Sequence, residues 1–170
     1  GVSFNDVIEA AQQMRERLEA LGLVSFCKTT GGKGLHVVAP LSSGKRASVD
    51  WPAAKDFARR VCAELASDEP QRYVVNMAKR LRNGRIFLDY LRNDRMATAV
   101  APLSPRARPG AHASMPLTWS QVKGDLDPSR YTVRTVPALL TKTKAWESYD
   151  DAAGSIADAI RKLGKSAAAA

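Results

Sequence analysis

A glycine-rich segment carries the first residues that could do chemistry. Residues 29–36 read Thr-Thr-Gly-Gly-Lys-Gly-Leu-His. Its three glycines let the backbone approach a ligand and turn successive N–H groups toward it. Thr30, Lys33 and His36 add a hydroxyl, an ammonium and an imidazole, which suit phosphate oxygens. The order of glycines and lysine differs from a P-loop, and a strand is predicted to follow. The pattern alone therefore leaves open a phosphate site or a hairpin turn with a chance lysine.

The second candidate is Asp89, the one acid in an otherwise apolar stretch at 85–90, for which we predict a strand. A carboxylate buried there would cost free energy unless it were paired. Arg85 or Arg92 could pair with it, which is a structural explanation. Alternatively, Asp89 is a ligand of a divalent cation that also contacts substrate phosphates. One carboxylate does not make such a site, so further ligands would be needed.

A third candidate is the segment 104–109, Ser-Pro-Arg-Ala-Arg-Pro. Its prolines restrict the backbone, so that Arg106 and Arg108 project from a stiff segment. Guanidinium groups held in this way are good bidentate ligands for phosphate. A basic surface loop is the simpler alternative.

The charge balance favours polyanionic partners. The 170 residues include 26 Lys and Arg against 17 Asp and Glu, which gives a net charge of +9. Residues 79–108 alone hold eight basic residues and two acids, Asp89 and Asp94. Phosphates are attracted over long range by such a surface, although a solvated basic face would also explain it. No apolar run reaches membrane-spanning length, and Cys27 and Cys62 lack metal-site spacing.

The apolar spacing predicts an α+β fold, with a mixed or antiparallel sheet and flanking helices in one domain at 1–165 and a tail or linker at 166–170. A helix begins at the Ser3 cap and ends at Gly22, and a second helix begins at Asp50 and Pro52. The strands at 24–29 and 35–40 form a hairpin, which a polar loop follows at 42–47. The remaining predictions are helices at 71–81, at the 118–121 capping box and around 152–163, and strands at 85–90, 97–103 and 131–133.

Taken together, four segments resemble motifs of the polymerase domain of bacterial ATP-dependent DNA ligase D, an archaeo-eukaryotic primase-type domain. They are residues 30–37, 87–93, 104–110 and 114–119. The likeness extends over residues 1–163. The resemblance implies a primase–polymerase fold with a four-stranded, RNA-recognition-like unit. It also implies that the parent protein adds nucleotides, often ribonucleotides, to DNA ends during non-homologous end joining.

The resemblance also implies roles for single residues. Gly34-Leu35-His36 matches the small-x-His motif, which puts His36 on the phosphates of the incoming nucleotide. Thr30 stands where the family often has serine, and Lys33 would join it at the triphosphate. Asp89 would be the third metal carboxylate and a catalytic residue. The arginines expected to contact the nucleotide are Arg106, matched most directly, then Arg92 and Arg108.

One departure from the family concerns its Asp-x-Asp motif, which normally lies just before a segment like residues 1–4. That motif and the preceding half, with its DNA 5′-phosphate pocket, are not in this sequence. We therefore expect this chain to be inactive alone, and an intact parent to be an enzyme using Mn²⁺ or Mg²⁺ with NTP or dNTP. The expected partners are DNA ends, a ligase domain and the bacterial end-binding protein Ku, in the cytoplasm at the nucleoid and not at a membrane.

Two other classes of function compete with this interpretation. One is a non-catalytic, basic nucleic-acid-binding module, although only 6% of residues are aromatic and paired exposed aromatics for base stacking are lacking. The other is a structural domain whose arginines only keep it soluble. Nucleotide binding that depends on Lys33 and His36 would separate the first interpretation from both.

Overall fold

The structure is a computed structural model that describes residues 1–42 and 49–168. Most of the predicted polar loop at 42–47 lies outside the described residues. The helices are α1 (Phe4–Ala20), α2 (Trp51–Asp68), α3 (Val136–Leu140) and α4 (Ile156–Ala168). The strands are β1 (Phe26–Thr29), β2 (Leu35–Val38), β3 (Leu41–Ser42), β4 (Tyr73–Val74), β5 (Ile86–Phe87), β6 (Pro116–Leu117) and β7 (Gly154–Ser155). Single 3₁₀ turns lie at Lys79–Leu81, Trp119–Gln121, Pro128–Arg130 and Asp150–Ala152.

The first two helices begin where their capping residues predict. The Ser3 side chain accepts a hydrogen bond from the Asp6 backbone, and the Asp6 carboxylate accepts one in return, which completes a capping box. Gly22, at φ +83°, follows the end of α1. Asp50 accepts a hydrogen bond from the Ala53 N–H at the start of α2. The capping box at 118–121 is also present, on a 3₁₀ turn.

The largest sheet among the described residues is antiparallel and has the strand order β2-β1-β6. The predicted glycine hairpin joins β1 to β2, with Lys28 opposite His36 and Thr29 opposite Leu35. The pairs β3-β7 and β4-β5 are parallel and two-stranded. The α+β class is therefore confirmed. The described sheets have three, two and two strands, rather than the four-stranded unit that the resemblance implied.

Three apolar clusters hold these elements together, and α1 contributes to each. The first packs Ile8 and Ala11 against the sheet, the second packs Leu18 against α2 and α4, and the third packs Ala10 beneath β4. Both cysteines are buried and free. Burial raises the pKa of each thiol to about 12.

The predicted helix at 71–81 is wrong. The chain there forms β4 and then a single 3₁₀ turn at Lys79–Leu81. The backbone N–H of Ile86 donates to the Arg72 carbonyl (2.8 Å), and that of Leu88 donates to the Val74 carbonyl (2.9 Å). Pairing with a distant segment therefore overrides the local helical spacing.

Three predicted strands are shorter or absent. The strand at 85–90 is reduced to β5, so Asp89 lies beyond its end. Residues 97–103 form no strand, because the Val100 carbonyl accepts from the Lys28 side chain and Leu103 has φ +65°. Residues 131–133 contribute only an isolated bridge between Thr132 and His112.

The closing helix begins at Ile156, later than the apolar spacing at 152 suggested, and continues to Ala168. The last turn of α4 therefore overlaps the predicted tail at 166–170. The domain boundary itself stays a prediction.

The β1 strand is tied to residues 113–115 through one hydroxyl. Thr29 Oγ1 donates to the Ala113 carbonyl (3.1 Å) and accepts from the Met115 N–H (2.8 Å), and Thr29 is fully buried. Thr29→Val keeps the shape but leaves both backbone groups without this partner. We expect it to lower the free energy of unfolding by about 2–4 kcal/mol in urea titrations. Thr29→Ser, which keeps the hydroxyl, should cost about 1 kcal/mol, and equal losses would contradict this explanation.

Candidate functional site

The tip of the glycine hairpin brings two of the sequence motifs together. Thr30 closes the turn, since its backbone N–H (3.2 Å) and its hydroxyl (3.0 Å) both donate to the Gly34 carbonyl. Gly31 has φ +65°, and a Cβ there would lie 2.6 Å from Arg106 Cγ and 3.0 Å from the His112 carbonyl. The Arg106 side chain therefore packs directly across Gly31. Lys33 is exposed at the tip.

His36 lies on β2, half-buried, at the centre of the candidate site. Burial, and then the nearby cations Lys28, Arg106 and Arg92, lower the pKa of its imidazole to about 4, while Asp89 acts in the opposite direction. His36 is therefore neutral at pH 7. A neutral imidazole has one donor and one acceptor nitrogen, so its tautomer decides what it offers to a ligand.

Lys28 is a site residue that the sequence reasoning missed. It lies on β1 opposite His36 and is only 3% exposed. Its Nζ lies 3.1 Å from His36 Nδ1, 2.7 Å from the Val100 carbonyl oxygen and 3.0 Å from Ser114 Oγ. Burial lowers the pKa of Lys28 to about 8, so most molecules still carry its charge at pH 7. The feature of the sequence that could have indicated Lys28 is that it is the one charged residue in the predicted strand at 24–29.

Asp89 does not lie within a buried strand as expected. β5 ends at Phe87, and the Asp89 side chain is 38% exposed. Its carboxylate accepts from the Leu91 N–H (3.0 Å) and lies 3.7 Å from Arg92 Nε. The structural pairing with Arg92 is therefore present, whereas Arg85 donates to the Pro70 carbonyl instead.

A groove of about 480 Å³ connects His36 with Asp89. Apolar side chains of α1, α2 and β2 line most of it, while His36, Asp89, Arg92 and Asn93 supply its polar wall. The structure thus brings His36, Asp89 and Arg92 to one cavity from distant parts of the sequence. Arg106 packs instead on Gly31 of the hairpin, whose second strand carries His36.

Arg108 is less closely connected to this groove. It is exposed in the turn that follows Arg106, and its backbone N–H donates to the Arg106 carbonyl (2.8 Å). The two arginines lie in a tight turn between prolines, and the Arg106 N–H donates to the His112 carbonyl (2.8 Å). The structure ties Arg106 to the hairpin and leaves Arg108 as a surface residue.

The described residues do not make a metal site by themselves. Within 1–42 and 49–168 no group of three or more His, Cys, Asp or Glu side chains is close enough to hold an ion. Asp89 supplies a single carboxylate, which Arg92 already faces. Its role as a metal ligand therefore stays a prediction. The same residues include no helix long and apolar enough to cross a bilayer.

The lowered pKa of His36 predicts a pH effect on folding. In the unfolded chain the imidazole takes up a proton near pH 6.5, whereas in the folded chain it does so near pH 4. The unfolded state thus binds more protons between these values, so stability is present above pH 6.5 and is lost as the pH falls toward 4. Urea titrations should show the wild type losing stability relative to His36→Gln across this window. A constant difference between the two proteins would contradict the shift.

Comparison with known proteins connects this arrangement to a family. Residues 1–146 match the family described as LigD, primase-polymerase domain. The chain is 36% identical over 148 residues to the multifunctional non-homologous end joining protein LigD of Pseudomonas aeruginosa, covering 87% of this chain and 17% of that protein. It is 34% identical over 122 residues to the Mycobacterium tuberculosis LigD, covering 72% of this chain and 16% of that protein.

A solved structure agrees with these sequence matches. The polymerase domain from Mycobacterium tuberculosis ligase D in complex with DNA superposes with a TM-score of 0.76 at 31% identity. The match covers 90% of this chain and 52% of that one, so the chain spans about half of the solved domain and under a fifth of the two LigD proteins. The α+β fold, the glycine hairpin and these matches agree, and the chain belongs to the LigD primase-polymerase domain family of non-homologous end-joining DNA repair proteins.

Proposed function

We propose that this chain is the nucleotide-binding part of a DNA end-joining polymerase, and that it holds the triphosphate of an incoming NTP or dNTP. The observation that carries the proposal is that Arg106 packs across Gly31 of the hairpin, while His36, on the strand that follows the hairpin, lines the groove. These groups supply donors of three kinds, which come from the imidazole, the guanidinium and the backbone. Phosphate oxygens only accept hydrogen bonds, so a site built from donors suits them.

The electrostatics of the site favour the same ligand. Burial lowers the pKa of His36 most, and the cations Lys28, Arg106 and Arg92 lower it further against the opposite effect of Asp89, which favours a positive potential at the imidazole. A triphosphate placed there would be attracted by that potential, and Asp89 is the carboxylate among the groups that act on His36. Lys33 at the hairpin tip and Thr30 in the turn would be the further contacts, with Arg92 and Arg108 at the periphery.

Asp89 fits this proposal as one carboxylate of a cation site whose other ligands come from elsewhere in a longer protein. It lies on the groove wall that also holds His36. Divalent cations such as Mn²⁺ or Mg²⁺ are bound in nucleotidyl-transferring enzymes by carboxylates together with substrate phosphates. The ion pair with Arg92 would then have to open when the cation binds.

DNA ends are the proposed second substrate. The solved relative is a polymerase domain in complex with DNA, and this chain carries eight basic residues between positions 79 and 108. A ligase domain in the parent and the bacterial Ku protein are further proposed partners, since the curated relatives are end-joining proteins much longer than this chain.

A second candidate function is a non-catalytic nucleic-acid-binding module. Exposed basic residues favour it, including Lys79, Arg80 and Arg95. Such a module would bind DNA with a steep salt dependence and would show no preference for a triphosphate. Titration with ATP separates the two candidates, because only a triphosphate site predicts that ATP binding depends on Lys33.

Lys33→Ala should weaken nucleotide binding by about 1.5–3 kcal/mol, the range for a hydrogen bond to a charged group. Titration with a fluorescent ATP analogue measures the effect. Lys142→Ala is the matched control, since it removes an exposed lysine outside the hairpin and the groove. Equal affinities of Lys33→Ala and the wild type would contradict the triphosphate site.

Asp89→Ala is expected to abolish nucleotide addition in a longer protein that contains this chain together with an Asp-x-Asp segment. The reason is the loss of a carboxylate that the cations need, while Asp89 is exposed enough for the fold to survive its removal. Primer extension with Mn²⁺ or Mg²⁺ measures activity, and circular dichroism checks the fold. Full activity of the variant would rule out the proposed metal role. Robust extension by the 170-residue chain alone would show that the active site lies elsewhere.

A further inference from the structure

The Lys28 ammonium is fully engaged inside the protein. An ammonium has three N–H donors and no acceptor. Its three close partners are the Val100 carbonyl oxygen, Ser114 Oγ and His36 Nδ1, at 2.7, 3.0 and 3.1 Å. Each donor therefore has one acceptor, and the lysine is held in place on all sides.

The direction of every bond in this group can be assigned from its neighbours. The Val100 carbonyl can only accept. Ser114 Oγ donates its own hydrogen to the Thr29 carbonyl (2.6 Å), so it must accept from Lys28. Because the ammonium has nothing with which to accept, His36 Nδ1 must be the unprotonated nitrogen. The imidazole proton then lies on Nε2, for which the described residues provide no hydrogen-bond partner.

We infer that Lys28 is a positioning residue that holds His36 in its Nε2–H tautomer, so that the neutral imidazole donates a hydrogen bond to a phosphate oxygen of the bound nucleotide. This inference rests on the proposed function. The opposite tautomer would present a lone pair to a ligand that has only lone pairs, which is repulsive. Lys28 thus determines whether His36 attracts or repels the triphosphate, although it need not touch the nucleotide itself.

The burial of Lys28 supports this role. Among the described residues no carboxylate forms an ion pair with it, although it is 3% exposed. A buried cation without a counter-ion carries a desolvation cost, which the hydrogen bonds to the Val100 carbonyl and Ser114 Oγ offset in part. A neutral side chain would avoid that cost, so the ammonium itself is the feature that the site requires.

The tautomer is measured directly by nitrogen NMR of the free protein, with no nucleotide present. The chain has two histidines, His36 and His112, and His112→Asn assigns the signals. At pH 7 we expect an unprotonated Nδ1 and a protonated Nε2 at His36. A protonated Nδ1 in the wild type would overturn the inference outright.

Two variants separate the hydrogen bond from the general effect of charge. The charged groups that act on His36 are Lys28, Arg106, Arg92 and Asp89. Lys28→Met should convert His36 to a mixture of tautomers and raise the pKa of the imidazole. Arg92→Gln should raise that pKa too but leave the Nε2–H tautomer intact. A pure Nε2–H tautomer in Lys28→Met, or the same mixture in both variants, would overturn the role of Lys28.

The wild type provides an independent test if Lys28→Met does not fold. A deprotonated amine can accept a hydrogen bond, so the preference for Nε2–H should weaken once the pH rises above the pKa of Lys28, about 8. A tautomer that stays unchanged after the Lys28 amine has lost its proton in the same titration would show that the ammonium does not determine it.

Nucleotide binding then tests the consequence for the ligand. Lys28→Met should bind ATP about 3- to 10-fold more weakly than the wild type, the loss of one hydrogen bond. Unchanged affinity would overturn the link between Lys28 and phosphate. A wild type that binds no ATP would contradict the proposed function instead, and the tautomer measurements would still decide the role of Lys28.

Discussion

The buried hydrogen bonds between β1 and residues 100–115 determine how the candidate site is assembled. Lys28 bonds to the Val100 carbonyl, and Thr29 bonds to Ala113 and Met115. These bonds bring the irregular segment that carries Arg106 against the glycine hairpin. The segment has little regular secondary structure, and both these side-chain bonds and backbone bonds between residues 103–106 and 112–114 hold it in position. The site would otherwise consist of separate motifs on separate loops.

Much of the architecture could be predicted from local patterns. The Ser3 cap, the Asp50 cap and the glycine hairpin depend on residues close in sequence, and all three are present in the structure. The predicted helix at 71–81 and strand at 97–103 failed because distant partners decide their conformation. The backbone at 72–74 pairs with 86–88, and the carbonyl at 100 is taken by a lysine side chain. The spacing of apolar residues within each segment cannot indicate these partners, because the partners lie far away in the sequence.

The residues of the candidate site also divide into those that local motifs indicate and those that only the fold brings together. His36, Asp89 and Arg106 could be proposed from the sequence because each belongs to a motif with recognisable chemistry. Lys28 was missed because its importance depends on strand register, which places it opposite His36. The predicted position of Asp89 within a strand was wrong because β5 is shorter than its apolar pattern suggests. Motifs thus indicate groups whose chemistry suits a ligand, whereas the residues packed against those groups become visible only in three dimensions.

The close packing of Gly31 on Arg106 links the tolerance of the two positions to substitution. Even an alanine at 31 would push against the first part of the arginine side chain and against the backbone of His112, at a φ that disfavours any side chain. A viable replacement at 31 would require a smaller residue at 106 and a shift of the following turn. Position 31 and the arginine loop are therefore coupled, and a library that varies position 31 alone would recover mostly glycine, whereas Gly31 itself excludes no smaller side chain at 106.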